Sequence, residues 1–304
     1  MAISPVTAEE QPFEVHDVYE VPEQISLWQD AWSRLQRNKL ALLGLGIIAL
    51  LFVVAIVSQF WTPFPIWKQA VGPTYEGPSP AHPFGLDAAG RDILSRLMVG
   101  AAISIEVGIG TSVVVSIVGI AVGLIAGYFR GWIDNVISLI INIFYGIPDI
   151  LVAALLLVLT DQHGLQNIIL AISVTAWMGM ARLVRGQTLS IREREFVEAA
   201  RSIGTRDISI MTKHIFPNAL GPIIVQATYL IPAAILFEAF LSFLGLGVKP
   251  PTPSWGAMIS DGFHSLQIAP HIVLVPAVAL SITLLAFNWL GDGLRDAIDP
   301  RMRR

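Results

Sequence analysis

Long apolar segments alternate with shorter polar ones along most of this chain. Six of the apolar segments come close to the ~20 residues that a helix needs to cross a bilayer. We predict membrane spans at about residues 41–60, 103–128, 133–159, 165–184, 223–243 and 272–290. The third is interrupted by Gly146-Ile147-Pro148-Asp149, a sequence that breaks helices. The pattern therefore predicts an all-α, polytopic membrane protein with six transmembrane helices.

A polar and basic island at about residues 192–218 separates the fourth predicted span from the fifth. Within it, Phe196, Ala199, Ala200 and Ile203 recur at helical spacing, which predicts a short amphipathic helix. Gly204 follows at the position where a left-handed residue commonly closes a helix.

A second helix is predicted directly after this turn. Thr205 can cap its N-terminus, and the carboxylate of Asp207 favours the positive end of its dipole. Ile208 and Met211 continue the apolar stripe until Pro217, which forbids a further turn. The island is therefore predicted to be a helix–turn–helix hairpin between two membrane spans.

The apolar face of this hairpin could rest on lipid or on another protein. An interfacial helix presents Trp, Phe or Leu to lipid, whereas this face is centred on Ala199 and Ala200. Small residues flanked by Phe196 and Ile203 suit the close approach of a protein backbone. We therefore expect protein docking, in which apolar contacts supply the affinity and the Arg and Glu residues fix the register.

The segment before the first span divides into two parts. Residues 1–25 contain several acidic residues and no Lys or Arg, which predicts an acidic tail rather than a signal peptide. Ser26 can cap an amphipathic helix over residues 27–37, whose Trp28, Trp32 and Leu35 would face lipid. We therefore divide the chain into residues 1–40, residues 41–102 with the first span and a long loop, and a core of five spans with the hairpin at 103–304.

Small residues recur along the second predicted span in two rows. Gly119, Gly123 and Gly127 have small-xxx-small spacing. Gly108, Ser112 and Ser116 form the other row. Small residues at this period let membrane helices pack backbone to backbone, so we predict close helix contacts along this span.

Composition and charge agree with a membrane protein and set its orientation. Hydrophobic residues make up 54% of the chain and charged residues 14%, and the mean hydropathy is +0.65, which excludes an ordinary soluble domain. Of the nineteen Lys and Arg residues, only Lys68, Arg91, Arg96 and Lys249 fall opposite the predicted side of both termini. The positive-inside rule then places both termini and the hairpin in the cytoplasm. Nothing in this pattern predicts a nucleic-acid partner.

Three separated motifs carry a resemblance to a known family. Glu198-Ala199-Ala200 with Gly204 and Pro217 resembles the EAA loop of ABC importer permeases, although His214 stands where that loop usually has an aliphatic residue. The stretches at 84–92 (FGLDAAGRD) and 245–256 (GLGVKPPTPSWG) resemble outer segments of the C-type permease subunits of dipeptide and oligopeptide importers. In the first stretch Leu86 replaces the usual threonine, so we expect Asp87 to cap a short surface helix after it.

The resemblance implies the type I ABC importer permease fold, in the plasma membrane of a prokaryote, with the hairpin as the coupling helix. It implies a homologous second permease, two ABC ATPase subunits carrying ATP and Mg²⁺, an extracytoplasmic binding protein and surrounding lipid. Peptides, nickel chelates and glutathione are the cargoes of such importers. The residues implied to couple to the ATPase are Phe196, Glu198, Ala199, Ala200, Ile203, Gly204, Ile208, Met211 and Pro217.

The sequence lacks the common catalytic patterns. It has no G-x-x-x-x-G-K-[ST] loop for nucleotide phosphates, no His-Glu-x-x-His pattern and no cysteine. We therefore expect a transport subunit without its own ATPase site, cofactor or metal. The alternatives are an ion-coupled secondary transporter that uses buried carboxylates, and a purely structural scaffold.

Polar residues inside the predicted spans are candidates for the substrate path. Ionisable groups there cost ~2.5 to 3.5 kcal/mol each to insert, so they normally face water or protein. Asp149, Tyr145 and Glu238 are the main candidates, with Glu106 also considered. Because each carboxylate lies near a span end or break, a helix cap or an interhelical hydrogen bond remains an alternative role.

Overall fold

The computed structural model describes residues 27–160 and 164–298, and these are mostly α-helical. The helices are α1 (Leu27–Leu35), α2 (Lys39–Phe60), α3 (Ile93–Phe129), α4 (Gly131–Tyr145), α5 (Asp149–Thr160), α6 (Leu165–Arg192), α7 (Glu195–Ser202), α8 (Asp207–Ile210), α9 (Phe216–Phe243), α10 (Trp255–Phe263) and α11 (His271–Ile298), with a π-helical turn at Met211–Ile215. The predicted acidic tail, the Ser26 cap and the side chain of Trp28 lie outside the described residues.

Five helical stretches of the described chain are long and apolar enough to cross a membrane. They are α2, α3, α6, α11 and the continuous stretch Asp207–Phe243. The remaining prediction, the third span at about residues 133–159, corresponds to the pair α4 and α5, whose axes bend by 84° at the break between them. The predicted interruption at residues 146–149 is therefore confirmed, and its consequence is two separate helices.

Helix α3 lies between α6 and α9, and each of its two rows of small residues faces one of these helices. A Cβ at Gly119 would lie 2.6 Å from the Cβ of Met180, and one at Gly123 would lie 2.6 Å from the carbonyl oxygen of Ala181, both on α6. On the other side, Ser112 donates a hydrogen bond to the carbonyl of Ala227 on α9. The prediction of backbone-to-backbone packing is confirmed.

The start of α3 differs from the sequence-based expectation. The predicted short surface helix is the first part of α3 itself, and Asp92, not Asp87, caps it by accepting the backbone N–H of Ser95 at 2.8 Å. Asp87 instead closes the preceding turn, because it accepts the backbone N–H groups of Ala89 and Arg91 at 2.8 and 2.9 Å. Either aspartate could cap from the sequence alone.

Buried charges connect the long loop to this end of the bundle. The side chain of Arg91 donates to Asp87 at 2.7 Å, and Arg96 lies 3.6 Å from the same carboxylate. Asp92 also accepts from Ser95 Oγ at 2.7 Å and lies 3.0 Å from His82 Nδ1. We call His82, Asp87, Arg91, Asp92 and Arg96 the loop-end cluster.

Helix α1 packs against its own chain in part. Leu35, predicted to face lipid, is buried with Ala41 and Ala297, whereas Trp32 is exposed. The prediction for Leu35 is therefore wrong, because its side chain fits against α11 beside Gly293, which leaves room for it.

Candidate functional site

Helix α7 divides its apolar residues between two faces. Val197 is fully buried and Ala200 is buried, whereas Ile203, just after the helix, is 83% exposed. Phe196 and Ala199 are also exposed. The predicted single stripe is therefore two faces, one turned into the chain and one turned outward.

The inward face forms a small core of its own. Val197 and Ala200 pack with Ile210, Met211, Ile215 and Tyr128. Ala200 and Met211, which the sequence assigned to the docking face, thus lie inside the hairpin. Sequence reasoning missed Val197, although its spacing of three from Ala200 could have indicated a second apolar face.

The turn after α7 has the predicted form. Gly204 has a φ of +79°, and its N–H donates to the carbonyl of Arg201 at 3.0 Å, while the N–H of Thr205 donates to that of Ala200 at 3.1 Å. These two bonds make a Schellman motif, which a residue with positive φ permits. The predicted closure of the helix by Gly204 is confirmed.

The second helix of the hairpin begins and ends differently from the prediction. Arg206 precedes α8 without a side-chain capping bond, so Thr205 is not its cap. Pro217 does not end the helix, because α8 continues through the π-helical turn into α9. A proline ring clashes with the carbonyl four residues earlier in a regular helix, and the wider π turn lies directly before Pro217. The hairpin therefore joins its membrane span without a loop.

Polar contacts attach the hairpin to the end of α3. Tyr128 Oη donates to the carboxylate of Asp207 at 2.5 Å, and Arg192 donates to the backbone carbonyl of Tyr128. Arg130 and Glu193 form an ion pair at 3.0 Å, with both side chains largely exposed. The hairpin is thus held by its core and by Tyr128, at the end of α3 opposite the loop-end cluster.

The outward surface of the hairpin is apolar with a charged rim. Phe196, Ala199, Ile203 and Ile208 are exposed, with Ile208 at 62%. Glu198 is exposed among them. We call these five residues the hairpin face. Phe196 also borders a cleft of about 1380 Å³ between α6, α7, α9 and α11, whose polar lining includes Gln187, Ser190, Gln226, Tyr229 and Arg295.

The break between α4 and α5 gathers a second group of polar residues. Tyr145, the last residue of α4, is 51% exposed, and the Arg182 guanidinium lies 4.2 Å from the centre of its ring. Arg182 also donates to the side-chain oxygen of Asn142 at 3.3 Å. Asp149 is exposed at the start of α5. Sequence reasoning missed Arg182, although a basic residue inside the predicted span 165–184 was itself a signal.

Glu238 does not line an open path in the described chain. It is fully buried, and its Oε1 accepts hydrogen bonds from Ser242 at 2.6 Å and from Ser254 at 2.7 Å. Ser254 also accepts the N–H of Ala257, so it caps α10. These contacts match the alternative role of an interhelical hydrogen bond, because the carboxylate connects α9 to the start of α10. Glu106 is exposed on α3.

Among the described residues, no group of three His, Asp or Glu side chains is placed to hold a metal ion. The two groups of interest are the exposed hairpin face and a polar surface at a broken helix.

Two protein-family models match separate parts of this chain, and both describe membrane segments of transport systems. Residues 119–304 match the family described as binding-protein-dependent transport system inner membrane component. Residues 26–78 match the N-terminal TM domain of oligopeptide transport permease C.

Individual relatives cover most of the chain. The dipeptide transport system permease protein of Bacillus subtilis is 45% identical over 282 residues, covering 92% of this chain and 88% of that protein. The oligopeptide transport system permease protein of Salmonella typhimurium is 46% identical over 280 residues, covering 91% and 92%. A glutathione transport system permease protein of the same species is 44% identical over 284 residues, covering 93% of each. A solved structure of the inward-facing MetNI methionine ABC transporter matches 67% of this chain and 96% of its own, with a TM-score of 0.56 and 22% identity, which supports the fold.

Proposed function

Because the chain belongs to the binding-protein-dependent transport system inner membrane component family, we propose that it forms half of an ATP-driven import path for peptides. As a permease subunit it is a multi-pass inner membrane protein and is not itself catalytic. The proposed assembly contains a homologous second permease, two ABC ATPase subunits that bind ATP and Mg²⁺, and an extracytoplasmic binding protein. The observation that carries this proposal is the exposed hairpin face on a chain that has no nucleotide-binding loop of its own.

The hairpin face has the properties of a docking surface for the ATPase. Phe196, Ile203 and Ile208 are large apolar side chains on an exposed surface, and burying each would contribute about 1.5 to 3 kcal/mol before the cost of association. An exposed ion pair at the rim contributes about 0 to 1 kcal/mol. The apolar residues therefore supply the affinity, and Glu198 and its charged neighbours fix the orientation.

A protein partner explains this surface better than lipid does. Ala199 lies at its centre, and exposed charged residues surround it on the same short helices. An interfacial lipid anchor would present a continuous row of large apolar side chains instead. The rigid core beneath the face, built on Val197 and Ile210, holds these side chains in place, which lowers the entropy cost of docking.

The proposed orientation places the hairpin and both termini in the cytoplasm. The hairpin joins the membrane helices α6 and α9 at one end of the bundle, and the loop-end cluster lies at the other. The excess of Lys and Arg is on the hairpin side, which the positive-inside rule assigns to the cytoplasm. This is also the side on which ATP is available to partner ATPases.

The cargo proposed is a peptide of two or more residues. Relatives from Bacillus and Salmonella carry dipeptide, oligopeptide and glutathione in their names, and all three are peptides or peptide-like compounds with free carboxylates. The path in this chain would accept peptides as a class, while the binding protein selects which peptide is transported.

The test of this function is uptake by the complete transporter in lipid vesicles. We expect uptake of labelled di- to pentapeptides to need ATP, both ATPases and the binding protein, and to stop when ATP is replaced by a non-hydrolysable analogue. Uptake driven by an ion gradient without the ATPases would support a secondary transporter, and no uptake under either condition would support a scaffold. Either result would contradict the proposal.

Docking and orientation can be tested with single cysteines, because the natural chain contains none. Ala199→Cys should form a cross-link to the ATPase and react with a membrane-impermeant maleimide only after the cells are opened. The control is Tyr75→Cys, which replaces an exposed residue of the long loop. This thiol should react in intact cells and should not cross-link to the ATPase. The reverse pattern would refute the orientation.

A further inference from the structure

The break between α4 and α5 exposes polar backbone and charged side chains together. Residues 145–149, which we call the elbow, are all exposed in the described chain. The two helices meet there at 84°. The N–H groups of Gly146 and Ile147 close α4 by donating to the carbonyls of Ile143 and Phe144 at 3.1 and 3.0 Å, so the regular helical hydrogen-bond pattern is interrupted at this exposed turn. Asp149 begins α5, and none of the described ion pairs includes its carboxylate.

The elbow lies at the middle of a membrane helix. The hydroxyl of Tyr145 is 3.7 Å from the position that a Cβ on Gly179 would occupy. Gly179 is fourteen residues after Leu165 and thirteen before Arg192, the two ends of α6. At 1.5 Å per residue, the elbow therefore contacts α6 about 20 Å from either end. Arg182 is one turn further along the same helix.

Lipid is a poor environment for this surface. In hydrocarbon, broken backbone is tolerated only where protein or a water-filled cavity covers it. A charged side chain inside a membrane span normally faces protein or water, and Arg182 lies within the predicted span 165–184, near the end that leads to the hairpin. Arg182 and Asp149 are both exposed in this chain, so the elbow must face either the path or a neighbouring subunit.

The position of Arg182 favours the path. The ring of Tyr145 lies under the guanidinium at 4.2 Å, and Asn142 accepts a single hydrogen bond from it. A guanidinium has five N–H donors, so most of them remain available while the stacked ring and Asn142 restrict its motion. An immobilised guanidinium with free donors is suited to bind a carboxylate through two parallel hydrogen bonds.

We propose that the elbow and Arg182 line the water-filled path, and that Arg182 binds the carboxylate of the passing peptide. This inference rests on the proposed function, because it needs a peptide importer. Tyr145 and Asn142 act as positioning residues that hold the guanidinium. Asp149 places a negative charge on the same elbow, which is complementary to the ammonium group of a peptide.

The first experiment measures access of water and peptide to position 182 in the complete transporter in vesicles. Arg182→Cys should react with a negatively charged methanethiosulfonate at least about ten times faster than Leu50→Cys. Leu50 is an exposed apolar residue near the middle of α2, so it serves as the control for a lipid-facing position. Saturating di- to pentapeptides should slow the labelling of Arg182→Cys. Labelling as slow as that of Leu50→Cys, or labelling that peptides do not affect, would overturn the proposal.

The second experiment measures ATP-driven uptake of the same peptides. Arg182→Gln should lower uptake at least about tenfold, while Arg182→Lys, which keeps the charge, should retain more activity. Recovery of the second permease with the variant should stay unchanged. If Arg182→Gln lowers recovery of the second permease and Arg182→Cys does not react with the methanethiosulfonate, Arg182 lies at the subunit interface instead. If the unmodified transporter lacks ATP-driven uptake, the proposed function fails; if that uptake is present and Arg182→Gln equals it, only this inference fails.

Discussion

At the loop end of the bundle, Asp87, Arg91 and Arg96 are largely buried and paired with one another, whereas at the hairpin end Ile203 and Ile208 are exposed. Charges at the loop end lie inside the protein, and apolar side chains at the hairpin end lie outside it. A buried charge without a partner would lower the stability of the protein. An exposed apolar patch without a partner would favour association with other surfaces.

The difference shows which end this chain completes by itself. At the loop end, Asp92 accepts the backbone N–H of Ser95 in the first turn of α3 and also contacts Ser95 Oγ and His82, so these polar groups are paired within the chain. At the hairpin end, Val197 and Ile210 complete the core, but the hairpin face has no partner within the described chain. We therefore expect mutations at the loop end to alter stability and mutations on the hairpin face to alter assembly.

The largest effect is expected for Asp87→Asn in the loop-end cluster. Removal of this carboxylate takes from Arg91 and Arg96 the more buried of the two carboxylates that they share, and breaking a buried ion pair costs about 3 to 5 kcal/mol. The matched control is Asp261→Asn, because this carboxylate lies 3.6 Å from Arg91 and 3.5 Å from Arg96 but is 48% exposed. Thermal unfolding of the purified transporter should show a large fall in the unfolding temperature for Asp87→Asn and little change for Asp261→Asn. Equal effects would remove the distinction between buried and exposed charge at this end.

The next effect is expected for Ile203→Asp on the hairpin face. The side chain is exposed, so the free energy of unfolding should change by less than about 0.5 kcal/mol. A desolvated charge at the docking surface should lower recovery of the ATPase at least about tenfold, which corresponds to about 1.4 kcal/mol.

The contrast for this prediction is Val197→Asp in the same hairpin. Val197 is fully buried, so the substitution places an unpaired charge in the hairpin core and should destabilise the chain itself. Co-purification and thermal unfolding measured together separate the two effects. Normal ATPase recovery with Ile203→Asp would show that docking occurs elsewhere.

The smallest effect is expected for Glu193→Ala. Its ion pair with Arg130 is 52% and 62% exposed on the two side chains, and such pairs contribute about 0 to 1 kcal/mol. Thermal unfolding and ATPase recovery should both stay close to those of the unmodified transporter, in contrast with Asp87→Asn. A loss as large as that from Ile203→Asp would mean that charge, rather than apolar contact, dominates docking.

The helices and the hairpin could be predicted from the sequence because their signals are local. The apolar lengths define the spans, the spacing of Gly119, Gly123 and Gly127 predicts close packing, and Gly204 predicts the turn. The assignment of faces was less successful. Ala200 and Ala199 are neighbours in sequence, and only the packing of Val197 on Tyr128 shows which alanine is inside.

The remaining differences depend on contacts between distant residues. Glu238 is buried because Ser254, sixteen residues later, returns to bind it, and no local pattern encodes that return. Pro217 continues a helix because the preceding π turn accommodates it. The contact between Arg182 and Tyr145 likewise joins two different helices, although Arg182 itself could be noted as a basic residue inside a predicted span.

The contact between α3 and α6 has a mechanical consequence. With the carbonyl of Ala181 so close to Gly123, these helices have little freedom to slide or rotate against each other, so we expect them to move as one rigid body. One of them leads into the hairpin, and the other begins beneath the loop-end cluster. A displacement imposed on the hairpin would therefore be transmitted along both helices to the loop-end cluster on the opposite side of the bundle.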